Sequence, residues 1–170
     1  MARIVEDGSI VAGANSYVSV ASARAYATER GLSLSVDDSV VEAQLVIAMD
    51  YLESLRDKYQ GSKTDITTPQ ALQWPRQDVT LDGEDFDENS IPVELTNAQC
   101  RLAVEQESGI ELMPTQDGKF IIKDKTGPLE TTYSDKIVPS SIPSITSVEV
   151  LLKPLLAYRF RHSTLRTVRV

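Results

Sequence analysis

From Val41 to Tyr59 the apolar residues Val41, Leu45, Ala48, Leu52, Leu55 and Tyr59 return at alternating intervals of four and three. That spacing follows one face of a helix and is the strongest periodic signal in the chain. Asp37 or Asp38 can cap its start and Gly61 ends it, while Glu42, Asp50, Glu53 and Asp57 fall on a solvated or interfacial side. Upstream, Ser19 suits an N-cap for the alanine-rich run Val20 to Arg30. Gly31 stands just past it, where a left-handed residue closes a helix. Downstream, Pro92 suits a first helical turn. Val93, Leu95, Ala98, Cys100, Leu102, Ala103 and Val104 then give a wide apolar face up to Ser108-Gly109.

After Lys119 the period shortens to two. Phe120 and Ile122 alternate with Ile121 and Lys123, and Leu129, Thr131 and Tyr133 alternate again beyond Lys125-Thr126-Gly127-Pro128, which predicts a β-hairpin over about residues 119–134. A Pro/Ser-rich link, Pro139 to Ser144, leads to Thr146-x-x-Glu149, a capping-box pattern with Ile145 and Val150 placed as its hydrophobic staple. A fourth helix should start there, and Pro154 should kink or end it near Lys153. Three stretches lack a period: Gly8 to Tyr17, read as an ordered loop; 61–90, a long connection pinned by Trp74; and 158–170. The fold class expected is mainly α. A four-helix bundle-like domain with a small hairpin spans 1–157, followed by an extended C-terminal arm, 158–170.

Composition adds bounds. At 170 residues, 41% hydrophobic and 25% charged, the chain suits one core. Lys153 and Pro154 interrupt the most apolar run, Leu151 to Ala157, far short of the roughly 18 residues of a membrane span. The start turns acidic at Glu6-Asp7 rather than apolar, so synthesis in a host cytoplasm is expected. Cys100 has no partner for an internal disulfide. The net charge of -8 argues against general nucleic-acid binding. The average conceals an asymmetry. Residues 151–170 carry Lys153, Arg159, Arg161, Arg166 and Arg169 and no carboxylate, leaving 17 − 5 = 12 cations against 25 acids elsewhere. Within the arm, Tyr158, Arg159, Phe160, Arg161, Leu165, Arg166, Val168 and Arg169 alternate apolar groups with cations, as a segment added to a partner's sheet edge would. The arm is therefore expected to dock on an acidic partner.

Catalytic chemistry is poorly provided. One histidine, His162, and one cysteine support neither a nucleophilic triad nor a zinc site. Gly8 and Gly13 have Walker spacing, but Ala14-Asn15 follows where Lys-Ser/Thr is needed. The acid run Asp82, Glu84, Asp85, Asp87, Glu88 suggests calcium. Read as an EF-hand loop from Asp85, however, it puts Ser90 at the glycine position and Thr96 at the bidentate glutamate. No enzyme, cofactor or metal site is expected. Trp74 and Arg76 read as a loop anchor, as an intersubunit contact, or as a base-stacking platform beside a cation.

Five segments in order carry a resemblance: Val5-Glu6-Asp7-Gly8 through Ala14-Asn15-Ser16-Tyr17-Val18-Ser19; Gln70-Ala71-Leu72-Gln73-Trp74-Pro75-Arg76; Ile91-Pro92-Val93-Glu94-Leu95 through Ala98; Lys125-Thr126-Gly127-Pro128-Leu129 ahead of Tyr133; and Leu151-Leu152-Lys153-Pro154-Leu155-Leu156. Together they resemble the head-tail connector, or adaptor, proteins of tailed bacteriophages, a family sometimes labelled DnaT-like single-stranded-DNA-binding. The resemblance implies a structural virion protein at the neck. Its subunits would form a homo-oligomeric ring, usually a dodecamer, that binds the portal protein and meets tail or neck (stopper or terminator) proteins. DNA would pass through the channel without sequence-specific binding. The alternative function is a single-stranded-DNA-binding replication or packaging factor.

Overall fold

Two side-chain caps set the first helices. Ser19 Oγ accepts the Ser22 N–H at 3.1 Å to open α1, Val20–Glu29, and Asp37 accepts the Ser39 N–H at 2.9 Å to open α2, Asp38–Ser54. Beyond α1 the chain turns at Gly31, whose φ of 65° is the left-handed value expected there. The computed structural model describes residues 3–65, 70–113, 120–125, 130–134 and 145–157. The arm 158–170, the hairpin turn and the link Pro139 to Ser144 lie outside the described residues.

Helix α2 stops at Ser54, well before Gly61. A 3-10 turn, Arg56–Lys58, follows, so Leu55 and Tyr59 reach the core from the turn's flanks rather than along one helical face. Helix α3, Val93–Glu107, starts after Pro92 and ends before Gly109, with Val93 exposed rather than on the buried face. Helix α4 is short, Thr146–Leu152, and passes into a 3-10 turn, Lys153–Leu155, at Pro154. The capping box does not form: Ile145 takes the cap position without a side-chain bond, Thr146 already lies inside the helix, and Val150 is too exposed to staple Ile145.

The architecture is not a four-helix bundle. The helices have 10, 17, 15 and 7 residues, and α3 is the hub on which α1, α2 and α4 pack. Two turns of α4 are too short to form the fourth wall of a bundle. Irregular segments fill that place with Tyr17, Leu72, Trp74, Val79 and Leu112, all buried in the main core beside Leu52, Leu102 and Leu155. A bundle reading assumes that connections stay outside the core, and here they supply part of it.

Three two-stranded antiparallel sheets complete the described structure. Strands β1, Ser62–Lys63, and β2, Arg76–Gln77, pair within the stretch read as aperiodic, as do β3, Thr80–Leu81, and β4, Glu84–Asp85. The expected hairpin is present as β5, Phe120–Lys125, against β6, Glu130–Ser134, with a register shift between Ile121 and Lys123. Gly61 has φ 61°, and a Cβ there would stand 2.0 Å from the Gln77 carbonyl oxygen, so the β1–β2 clip closes only over glycine. The end of the body is tied to the end of α2. Tyr59 bridges Leu156, the Gln60 N–H donates to Leu155 O at 3.0 Å, and the Ala157 N–H donates to Lys58 O at 2.7 Å. Among the described residues no helix is long and apolar enough to cross a membrane.

Candidate functional site

Two of the segments that carry the resemblance, 5–19 and 70–76, meet in one buried polar network. Glu6 is buried, and its carboxylate accepts the N–H groups of Gly8 at 2.9 Å, Ile10 at 3.0 Å and Val11 at 2.9 Å, which shapes the loop before α1. Gln99, on α3, fastens the end of that loop. Its Oε1 accepts the Tyr17 N–H at 2.9 Å, and its Nε2 donates to Ser16 Oγ at 2.9 Å and Leu45 O at 3.0 Å. Every one of these buried groups has a partner, so the network favours a single loop conformation.

Tyr17 then reaches the tryptophan segment. Its hydroxyl accepts the Trp74 N–H at 3.0 Å and donates toward Glu53 Oε1 at 3.4 Å, while that same Glu53 oxygen accepts the Gln73 N–H at 3.0 Å. Burial holds the Glu53 carboxyl above the usual glutamate range, offset in part by the Gln73 N–H and Lys63. Burial and the neighbouring Glu53 push the Tyr17 phenol well up. Glu53 is thus no solvated residue on the back of α2. The segment around Trp74 covers it, a contact between distant stretches that helical periodicity does not register.

Trp74 and Arg76 have structural surroundings. Trp74 is fully buried, edge-on to Tyr59 and Phe86 with ring centroids 5.8 and 6.4 Å away, and joined to Pro75 by a cis peptide. It has no face left for a base or a neighbouring subunit. The Arg76 guanidinium donates to the carbonyls of Gln60 at 2.6 Å, Gly61 at 2.7 Å and Gln73 at 3.4 Å, and lies 5.8 Å from the Tyr59 ring. It ties β2 to the turn after α2. Gln70 adds bonds from Nε2 to Leu72 O at 3.1 Å and Pro75 O at 2.8 Å. Glu6, Gln99 and Glu53 were missed as organisers. The available signal was a glutamine inside the apolar face of α3 and acids beside otherwise apolar motifs.

What the body offers a ligand is limited. Of its aromatic residues Tyr17, Tyr26, Tyr51, Tyr59 and Trp74 are buried and Phe86 is half-buried, so none of them presents an open stacking face. The chain's other four, Phe120, Tyr133, Tyr158 and Phe160, fall on β5, on β6 and outside the described residues. Several body cations are engaged: Arg24 with Asp38 at 2.5 Å, Arg101 with Glu105 at 2.7 Å, Arg30 over the Tyr26 ring at 3.7 Å, and Arg76 as above. Acids of the run 82–88 are exposed around the β3–β4 turn, with Asp87 accepting the Asn89 N–H at 3.0 Å. Among the described residues no cluster of three or more His, Cys, Asp or Glu is placed to hold a metal ion. Cys100 is buried, and burial pushes its thiol up to about 12.

The arm positions Tyr158, Arg159, Phe160, Arg161, Leu165, Arg166, Val168 and Arg169 lie outside the described residues. Compared with known families, residues 1–170 match the model described as "Putative DnaT-like ssDNA binding protein". No curated protein and no solved structure matches the chain.

Proposed function

Because the chain belongs to the DnaT-like ssDNA binding protein family, we propose that it binds single-stranded DNA and that residues 151–170 make the principal contact. The observation that carries this reading is the charge division: five cations and no carboxylate in those twenty residues, against 12 cations and 25 acids in the rest. Phosphates dominate affinity for nucleic acid, so the contact belongs where the sequence concentrates cations without carboxylates. Tyr158 and Phe160 supply rings interleaved with arginines, and stacking adds about 1–3 kcal/mol per base without regard to sequence. The helical body serves as a scaffold that sets where the segment begins.

Fluorescence anisotropy of a labelled oligo-dT tests the reading. If all five cations meet phosphates, log K should fall against log salt with a slope of roughly −3.5, taking about −0.7 per contact on a single strand. Protein truncated after Ala157 should keep its helical circular dichroism and lose most of the affinity. Binding that survives truncation unchanged would overturn the assignment, and full-length protein that ignores the oligonucleotide at low salt would overturn the function.

A second reading, a connector-ring subunit at the phage neck, is favoured by one observation, the acidity of the body. A wall carrying 12 cations and 25 acids would repel DNA passing a channel rather than retain it. In that reading the arm binds portal protein, and the body meets its own copies in a ring, as well as tail or neck proteins. Native mass spectrometry of the purified protein and its capture on isolated portal test it. A monomer that ignores portal would remove it.

A further inference from the structure

Where α2 passes the end of α3, a groove of about 370 Å³ opens among Ile47, Gln106, Ile110, Glu111, Leu112 and Met113. Ile47, Ile110 and Met113 are 42%, 39% and 47% exposed, so three large apolar side chains share one wet depression. Its surroundings are acidic. Asp50 stands one turn along α2 from Ile47, Glu107 and Glu111 are exposed beside the groove, and α2 itself contains no lysine or arginine. An occupant should therefore be apolar, cationic and free of carboxylates.

Residues 158–170 of the same chain have that composition: Tyr158, Phe160, Leu165, Val168 and Val170 interleaved with four arginines. They also start in the right place. The Ala157 N–H donates to Lys58 O at 2.7 Å, just past the end of α2. From Lys58 back to Ile47 is 58 − 47 = 11 positions, about 17 Å at helical rise, whereas the 170 − 157 = 13 residues can span roughly 43 Å when extended. We propose that residues 158–170 fold back along α2 as a clasp, seating apolar side chains in the Ile47–Ile110–Met113 groove with arginines against Asp50, Glu107 and Glu111. The same carboxylates then compete with phosphate for the arginines, so the clasp restrains DNA binding. That regulatory sense rests on the single-stranded-DNA reading, whereas the clasp itself does not.

Limited trypsinolysis of the full chain without DNA, followed by mass spectrometry of cuts after Arg159, Arg161, Arg166 and Arg169, tests the contact. Cleavage follows the population of the open form, so the double variant Ile47→Gln, Glu111→Gln should be cut at these sites roughly threefold faster or more at low salt. Met113→Gln should reproduce the effect from a second position, and Val93→Gln, at an exposed apolar residue on the first turn of α3, should not. Melting temperatures check that each variant stays folded. Equal cleavage of wild type and both groove variants overturns the clasp. Protection that grows with protein concentration overturns it too, by placing the segment on another copy. The double variant should also bind oligo-dT more tightly. If its cleavage accelerates while neither protein binds DNA, the clasp stands and the DNA function falls.

Discussion

The Tyr17 phenol oxygen accepts the backbone N–H of Trp74 at 3.0 Å, joining residues 57 positions apart. The bond holds the loop before α1 against the segment after β1, and both partners are buried. Tyr17→Phe keeps the ring and removes the acceptor, leaving a buried N–H unsatisfied. A loss of about 1–3 kcal/mol is expected, seen as a lower urea midpoint with unchanged slope. An unshifted midpoint would show that water or a small backbone movement replaces the bond.

Glu53 gives a stability term that depends on pH. Burial raises its carboxyl above the ordinary value of 4.5, and the neighbouring Tyr17, Lys63 and Gln73 N–H offset that only in part. A raised carboxyl favours the folded state when protonated. Its contribution is full below the ordinary value and disappears as pH rises through the raised one. Glu53→Gln does not titrate, so its stability relative to wild type should improve as pH rises from the ordinary glutamate value through the raised one. Unfolding midpoints of the two proteins across that window check this, and a constant difference would contradict it.

Arg76→Lys is expected to be nearly as damaging as Arg76→Ala. The planar fork serves the Gln60, Gly61 and Gln73 carbonyls at once, which a single ammonium on a flexible stem does not reproduce. Each substitution should lower stability by roughly 1–3 kcal/mol and loosen the β1–β2 clip, measured as faster amide exchange at Ser62 and Gln77. Full protection in the lysine variant would show that charge alone suffices.

Cys100 should resist thiol reagents in the native protein. The thiolate is the reactive form, and burial both hides the sulfur and pushes its ionisation up to about 12. Labelling at mildly alkaline pH should therefore follow global unfolding and accelerate with denaturant in step with it. Rapid labelling of native protein would place Cys100 in an opening segment.

Both ends of α1 and the start of α2 were legible because caps are local: Ser19, Gly31 and Asp37 act within a few residues of their own positions. The hairpin was legible for the same reason. What failed depended on distant partners. Glu53 reads as solvated until the segment around Trp74 is laid over it, and Val93 reads as buried although it is largely exposed. Thr146 and Glu149 matched a cap pattern, but the chain enters α4 one residue earlier, at Ile145. The bundle expectation failed because Trp74, Val79 and Leu112 leave their connections to fill the core. Trp74 packs against Tyr59 and Phe86, Arg76 donates to the Gln60 and Gly61 carbonyls, and the arm lies outside the described residues.

The packing of α4 on α3 sets a timetable for the nascent chain. Val148, Leu152 and Leu155 are all buried in the main core, yet they are among the last of its residues to be synthesised. A ribosome that has delivered everything up to Met113 still holds a polypeptide whose largest helices have an open apolar side. Folding of this core can finish only when the short helix α4 arrives. Until then the emerging chain is a substrate for chaperones, and a translational pause before residue 145 would prolong the exposure.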